Sequence, residues 1–163
     1  MAFPLDRQQG LALGIGLGVV AAGLGIYFYA QRSAHLDLAG SILKVRTHAT
    51  DETGCVAILD FRITNTSDYP WIVKNVEVSA DIAEGTIDAA TAAESDSRRI
   101  FEIFPLLGQR FNEAIKQKDR IEPHQTVDRM VAVRFEAPES RITGRKRMTL
   151  RIVELDGAVS ELH

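Results

Sequence analysis

The chain has a single cysteine, Cys55. One cysteine cannot close an internal disulfide, so a disulfide-stapled scaffold is excluded. The four histidines, His35, His48, His124 and His163, have no ligand partners at metal-binding spacing. No G-x-S-x-G elbow, phosphate-binding loop or paired-carboxylate pattern is present. The sequence therefore nominates no catalytic residue, no cofactor and no metal ligand. A net charge of -3 with 25% charged residues marks neither a disordered chain nor a basic nucleic-acid binder. No nucleic-acid partner is expected.

Charge is also missing locally. From Gly10 to Ala30 no side chain is charged, and only the phenols of Tyr27 and Tyr29 are polar. This run contains Gly16-Leu-Gly18-Val-Val-Ala21, a G-x-G-x-x-A string, with Asp37 following. A dinucleotide-binding turn needs a strand before it, an amphipathic helix after it and a βαβ unit around it. The helix condition fails, because residues 19–30 have no polar face. A membrane-spanning helix fits instead. About 21 residues at ~1.5 Å each span about 30 Å, the thickness of the hydrocarbon layer.

Cleavage as a signal peptide is disfavoured. The run is long, and Phe28-Tyr29-Ala30 and Arg32-Ser33-Ala34 put large residues where small ones are needed. The expectation is an uncleaved, single-pass anchor over residues 10–30, with a tail at 1–9 and a linker at 31–40. Tyr27, Tyr29 and Arg32 would lie at the membrane interface. Gly10, Gly14, Gly18 and Ala22 recur every fourth residue, and Gly25 continues the row. Such a stripe lets helices approach closely in lipid, although glycine is also simply common in membrane helices. The positive-inside rule barely discriminates here, since Arg7 faces Arg32 across the run. The reading adopted puts the N-terminus inside and the domain outside a bacterial inner membrane.

After the run the period changes to two. Cys55, Ala57, Leu59, Phe61 and Ile63 alternate with polar Asp60, Arg62 and Thr64. A buried thiol is the reading for Cys55. Further strands are expected around Ser41–Ala49, Val76–Ile82, Val127–Phe135, Met148–Ile152 and Ala158–Leu162, with Asp156-Gly157 as a hairpin turn. Trp71 reads as a core aromatic at a strand start. Six or more short alternating strands indicate an antiparallel β-sandwich over 41–163. One interruption, about 97–118, has Ile100, Phe104, Leu107, Phe111 and Ile115 at helical spacing, with Pro105 expected to break or kink it. Residues 84–96 before it read as a flexible loop.

That helical excursion either plugs the sandwich, meets a partner, or lies on the bilayer beside Arg98 and Arg99. Phe101 and Phe104 would then be contact residues. A second group, Arg141, Arg145, Lys146, Arg147 and Arg151, is either a solvated face balanced by Glu136 and Glu139 or a patch for anionic headgroups or an acidic partner.

The stretches LDFRITNTSDYPWIVKNVEVSADI and RIEPHQTVDRMVAVRFEAP resemble small bacterial immunoglobulin-like sandwich domains of the late-embryogenesis-abundant/WHy type and the FxLYD type. Pro123-His124 stands where those domains usually have a proline-glycine turn, and the F-x-L-Y-D string is absent. The resemblance implies a non-catalytic, extracytoplasmic, membrane-tethered domain. It suits an interaction or structural protein, such as an accessory subunit or scaffold of a membrane complex that touches the bilayer, other membrane proteins or a second copy of itself. The alternative is a carrier for a lipid or other apolar ligand, held in a cavity lined by Phe61, Phe101, Phe104 and Phe135.

Overall fold

The structure, a computed structural model, describes residues 16–26 and 38–163. The chain divides into two units, 1–35 and 36–163. In the first, residues 16–26 form helix α1, exposed along its length, which carries Gly18, Ala22 and Gly25 of the glycine row. Gly10, Gly14, Tyr27, Tyr29 and Arg32 lie outside the described residues, as do both ends of the 10–30 run. Among the described residues, no helix is long and apolar enough to cross a membrane.

The second unit is mainly β. Its strands are β1 Leu38–Ala49, β2 Cys55–Asn65, β3 Trp71–Ile82, β4 Gly85–Thr91, β5 Glu113–Ala114, β6 Arg120–Ile121, β7 Thr126–Phe135, β8 Arg147–Glu154 and β9 Val159–Leu162. Helix α2 covers Glu94–Ile103, a 3-10 turn Pro105–Leu107, and helix α3 Glu139–Thr143. The strands form one sheet in the order β1-β2-β7-β4-β3-β8-β9, folded into two layers. All pairs along this order are antiparallel. β4 turns the corner: Gly85–Ala89 pair with β3, while Ala90 and Thr91 pair with β7. At the opposite side the edge strands meet, since the Leu38 amide donates to Ser160 Oγ at 2.8 Å and the Ile42 amide to the His163 carbonyl at 3.2 Å. The result is a sandwich nearly closed into a barrel.

The alternation of β2 places Cys55, Ala57, Leu59, Phe61 and Ile63 in the core, all without exposed surface. Trp71, Phe135 and Leu150 pack into the same cluster. Burial, with a smaller contribution from the Glu139 charge, pushes the Cys55 thiol up to about 11. The thiol is thus both enclosed and protonated at neutral pH. The native protein should leave Cys55 unmodified by iodoacetamide at pH 7 and release it only on unfolding. Prompt native-state alkylation, read by intact mass, would contradict this packing.

Two turns follow their local chemistry. Gly157 adopts φ 95°, the left-handed conformation open to glycine, between the β8 and β9 strands. His124 adopts φ 58° in the Glu122–Gln125 turn, doing with a side chain what glycine does freely. It is exposed, with Nε2 3.0 Å from Asp68 Oδ1.

Several expectations are corrected. The linker expected at 31–40 overlaps β1, which begins at Leu38. The loop expected at 84–96 holds β4 and the start of α2. β4 follows a tight turn at Ala83-Glu84 and gains its hydrogen bonds from both layers, a tertiary reward invisible in its mixed composition. The excursion at 97–118 is helical only to Ile103. Pro105 excludes helical geometry at Phe104, which sits at φ -118° and ψ 74°. The segment then crosses the outer face of β2 and β7 as a strap.

That strap changes the fate of the second face of β2. Val56, Ile58, Met130 and Ala132 form a second small core with Leu107 and Ala114. Asp60, expected in water, is 4% exposed. β2 is therefore buried on both sides, as its Cys55-Val-Ala-Ile-Leu run allows.

Candidate functional site

The sequence-nominated residues separate into two places. The first is the strap. Arg98 and Arg99 are exposed on α2, in a shallow depression shared with Glu94 and Glu102. Charge of both signs meets there, and the Glu94 carboxyl is lowered from its ordinary value by its hydrogen bond to Lys116, 2.9 Å away. Phe101 and Phe104 are half-buried against the second core. Phe101 lies against the Arg46 guanidinium, 5.4 Å from its ring centre, and Phe104 against the His48 ring at 5.1 Å. The exposed apolar side chains of this segment are instead Ile103, Leu106 and Phe111. Phe101 and Phe104 also sit on the opposite side of the sheet from Phe61 and Phe135, which fill the main core. The four phenylalanines expected to line a carrier cavity share no chamber.

The second place is a cleft of about 510 Å³ between the β1 edge and the start of β8. Ile42–Val45 form one wall, Thr143 and Arg145–Met148 the other, with His163 at one end. It exists because β9 pairs only with Leu150–Val153 of β8 and leaves the Arg147–Thr149 edge uncovered. Opposite, β1 has a bulge between Ile42 and Lys44, which re-aims Leu43 and Lys44. Arg145 is positioned by α3, because its Nη1 donates to the Ile142 carbonyl at the helix end at 2.9 Å. Lys146 is pinned through its backbone amide to the Asp81 carbonyl at 2.7 Å.

Arg145, Lys146 and Arg147 are thus brought together in one concavity. Lys44 joins them from a strand a hundred residues earlier. Among the described residues none of these four cations has a carboxylate partner, whereas Arg62, Lys116, Arg120, Arg134 and Arg151 each do. Arg151 is held by Glu77 and Glu161 and does not belong to the cleft. Glu139, expected to balance the group, instead accepts from Thr47 Oγ1 at 2.8 Å and the Ala49 amide at 3.1 Å. The cleft floor is apolar, with Ile42, Val45 and Met148 beneath the charges. Four like charges over a low-dielectric floor focus a positive field.

Sequence reasoning missed Lys44, Leu43 and Phe111 as parts of this site. Lys44 Nζ lies 5.8 Å from the centre of the Phe111 ring, so the cation cluster and the exposed apolar side chains of the strap adjoin. Only the bulge in β1 could have signalled this, and nothing in the local sequence marks it. Among the described residues, no three His, Cys, Asp or Glu side chains gather as a metal-ion site.

No protein-family model matches the chain. No curated protein matches it either. A solved structure described as an uncharacterized beta-sandwich protein from Clostridium difficile 630 aligns over 78% of this chain and 79% of its own, at 13% identity and a TM-score of 0.36. The sandwich assignment rests on the strand pairing described above.

Proposed function

We propose that this protein is a single-pass, non-catalytic interaction protein, an accessory subunit or scaffold of a complex in a bacterial inner membrane. In this reading residues 10–30 are the anchor, and an immunoglobulin-like domain stands on the extracytoplasmic side. The observation that carries the interaction role is the basic cleft: Lys44, Arg145, Lys146 and Arg147 line it, and among the described residues none of them forms an ion pair. A like-charged cluster is costly for the isolated domain, and an anionic surface on a partner removes that cost. The 21 uncharged residues supply the case for the anchor.

The test is affinity capture of the full-length tagged protein in mild detergent, with stoichiometry read by mass spectrometry. Recovery of other membrane proteins at a fixed ratio is the expected result. Recovery of the chain alone would overturn the reading.

A further inference from the structure

We infer that the basic cleft and the side chains adjoining it form a surface that lies on an anionic bilayer, with lipid phosphates entering the cleft. The inference deepens the anchored-module reading and rests on it. Three observations converge. The cleft is lined by four cations that form no ion pair among the described residues, so its charge complements a negative surface. Large apolar side chains stand exposed next to them: Leu43 at 53% on the cleft wall and Phe111 at 64% beside it, with Leu106 at 84% on the strap. Finally, the Lys44 ammonium over the Phe111 ring joins the two halves of the surface.

That combination suits a lipid interface in particular. Lysine and arginine lay their methylene stems along apolar surface and hold their charges at headgroup level. Aromatic and aliphatic side chains beside them reach toward the acyl boundary. An acidic protein surface would satisfy the charges, but it offers no general reason for Leu106 and Phe111 to be bared. A chain held by its own anchor also needs little intrinsic affinity, because tethering makes the encounter intramolecular. The geometry therefore assigns the cleft to headgroup phosphates and the adjoining Leu43 and Phe111 to the layer just beneath.

Cys55 has no exposed surface, so a single added cysteine can be labelled selectively. The full chain carrying Leu43→Cys, labelled with an environment-sensitive dye, is reconstituted into two kinds of vesicle: phosphatidylcholine alone, and phosphatidylcholine with phosphatidylglycerol. Dye exposure is read with acrylamide in the water and with a quencher carried on the lipid chains. Expected is shielding from acrylamide and quenching by the lipid-borne group only where phosphatidylglycerol is present, reversed by high salt. Neutralising Arg145, Lys146 and Arg147 to glutamine should shift the docked-to-free ratio by about a hundredfold. Equal dye exposure in the two lipid mixtures would overturn the inference.

The salt dependence of the otherwise unaltered chain decides the matter even if the triple variant fails to fold. Indifference to lipid, together with cation-dependent partner capture in detergent, would assign the cleft to an acidic protein. The interaction reading would then survive without this one. Lipid-dependent shielding with no captured partner would leave the bilayer contact standing and remove the subunit role.

Discussion

Asp60→Ala is expected to destabilise the domain by about 3–5 kcal/mol, the cost of leaving a buried charge without its partner. Asp60 Oδ2 lies 2.7 Å from Arg46 Nη2, and Oδ1 accepts from Asn112 Nδ2 at 3.0 Å. The Arg46 side chain is itself only 10% exposed. Its Nη1 donates to the carbonyls of Leu107 and Gln109, at 2.7 and 2.8 Å. Phe101 and Phe111 enclose it, with ring centres 5.4 and 5.3 Å away. Arg46 is thus the peg on which the strap hangs, and Asp60 is the anion that lets a guanidinium sit there.

Without Asp60 the guanidinium must either stay buried unpaired or pull out and release the strap. Chemical denaturation of the full chain in detergent, followed by far-ultraviolet circular dichroism, measures the loss. Adding Arg46→Met to Asp60→Ala should recover at least half of it, since the orphaned charge is then gone. The strap would still loosen, visible as faster amide exchange around Leu107, because its carbonyls lose their donor. A loss below about 1 kcal/mol for Asp60→Ala would mean that water reaches the pair and screens it.

Trp71→Ala should cost a comparable amount, about 3–5 kcal/mol, for a different reason. Trp71 has no exposed surface and opens β3 beside Ile121 of β6. Truncation leaves a cavity that a nearly closed sheet cannot collapse to fill. Among the described residues the buried indole Nε1 has no hydrogen-bond partner, and leaving such a group unpaired costs about 1–3 kcal/mol. Trp71→Phe removes that penalty along with part of the ring. It should therefore be far milder than Trp71→Ala, despite also losing buried carbon. Denaturation midpoints of the two variants provide the comparison. Similar losses for both would show that the indole N–H is satisfied, and that ring volume alone governs the site.

Both residues show how far the sequence could be read. Trp71 was legible as a core aromatic, since it begins an alternating strand after a turn-rich stretch. Asp60 was not. Its place in the alternation pointed away from the main core, and only the strap, arriving from some fifty residues later, makes that second face an interior. The same strap explains why Phe101 and Phe104 turn inward while Ile103, Leu106 and Phe111 are left outside. Helical spacing projected through Pro105 groups the wrong residues.

The basic cleft divides in the same way. Arg145, Lys146 and Arg147 are visible as a cluster because they are consecutive. That Glu139 does not pair with them depends on its having turned toward β1, and that they line a concavity depends on β9 stopping short beside β8.

What the sequence determined by itself is therefore whatever short-range periodicity encodes: the uncharged run of residues 10–30, the inward row of β2, the buried thiol and the Asp156-Gly157 turn. A period of two or a row of apolar residues acts within a few residues, and needs no distant partner to be meaningful. The tertiary structure alone decided which second faces are covered, where β4 changes layers, and which cations remain unpaired. Those outcomes depend on residues some forty to a hundred positions apart competing for the same neighbours, and no local pattern carries that information.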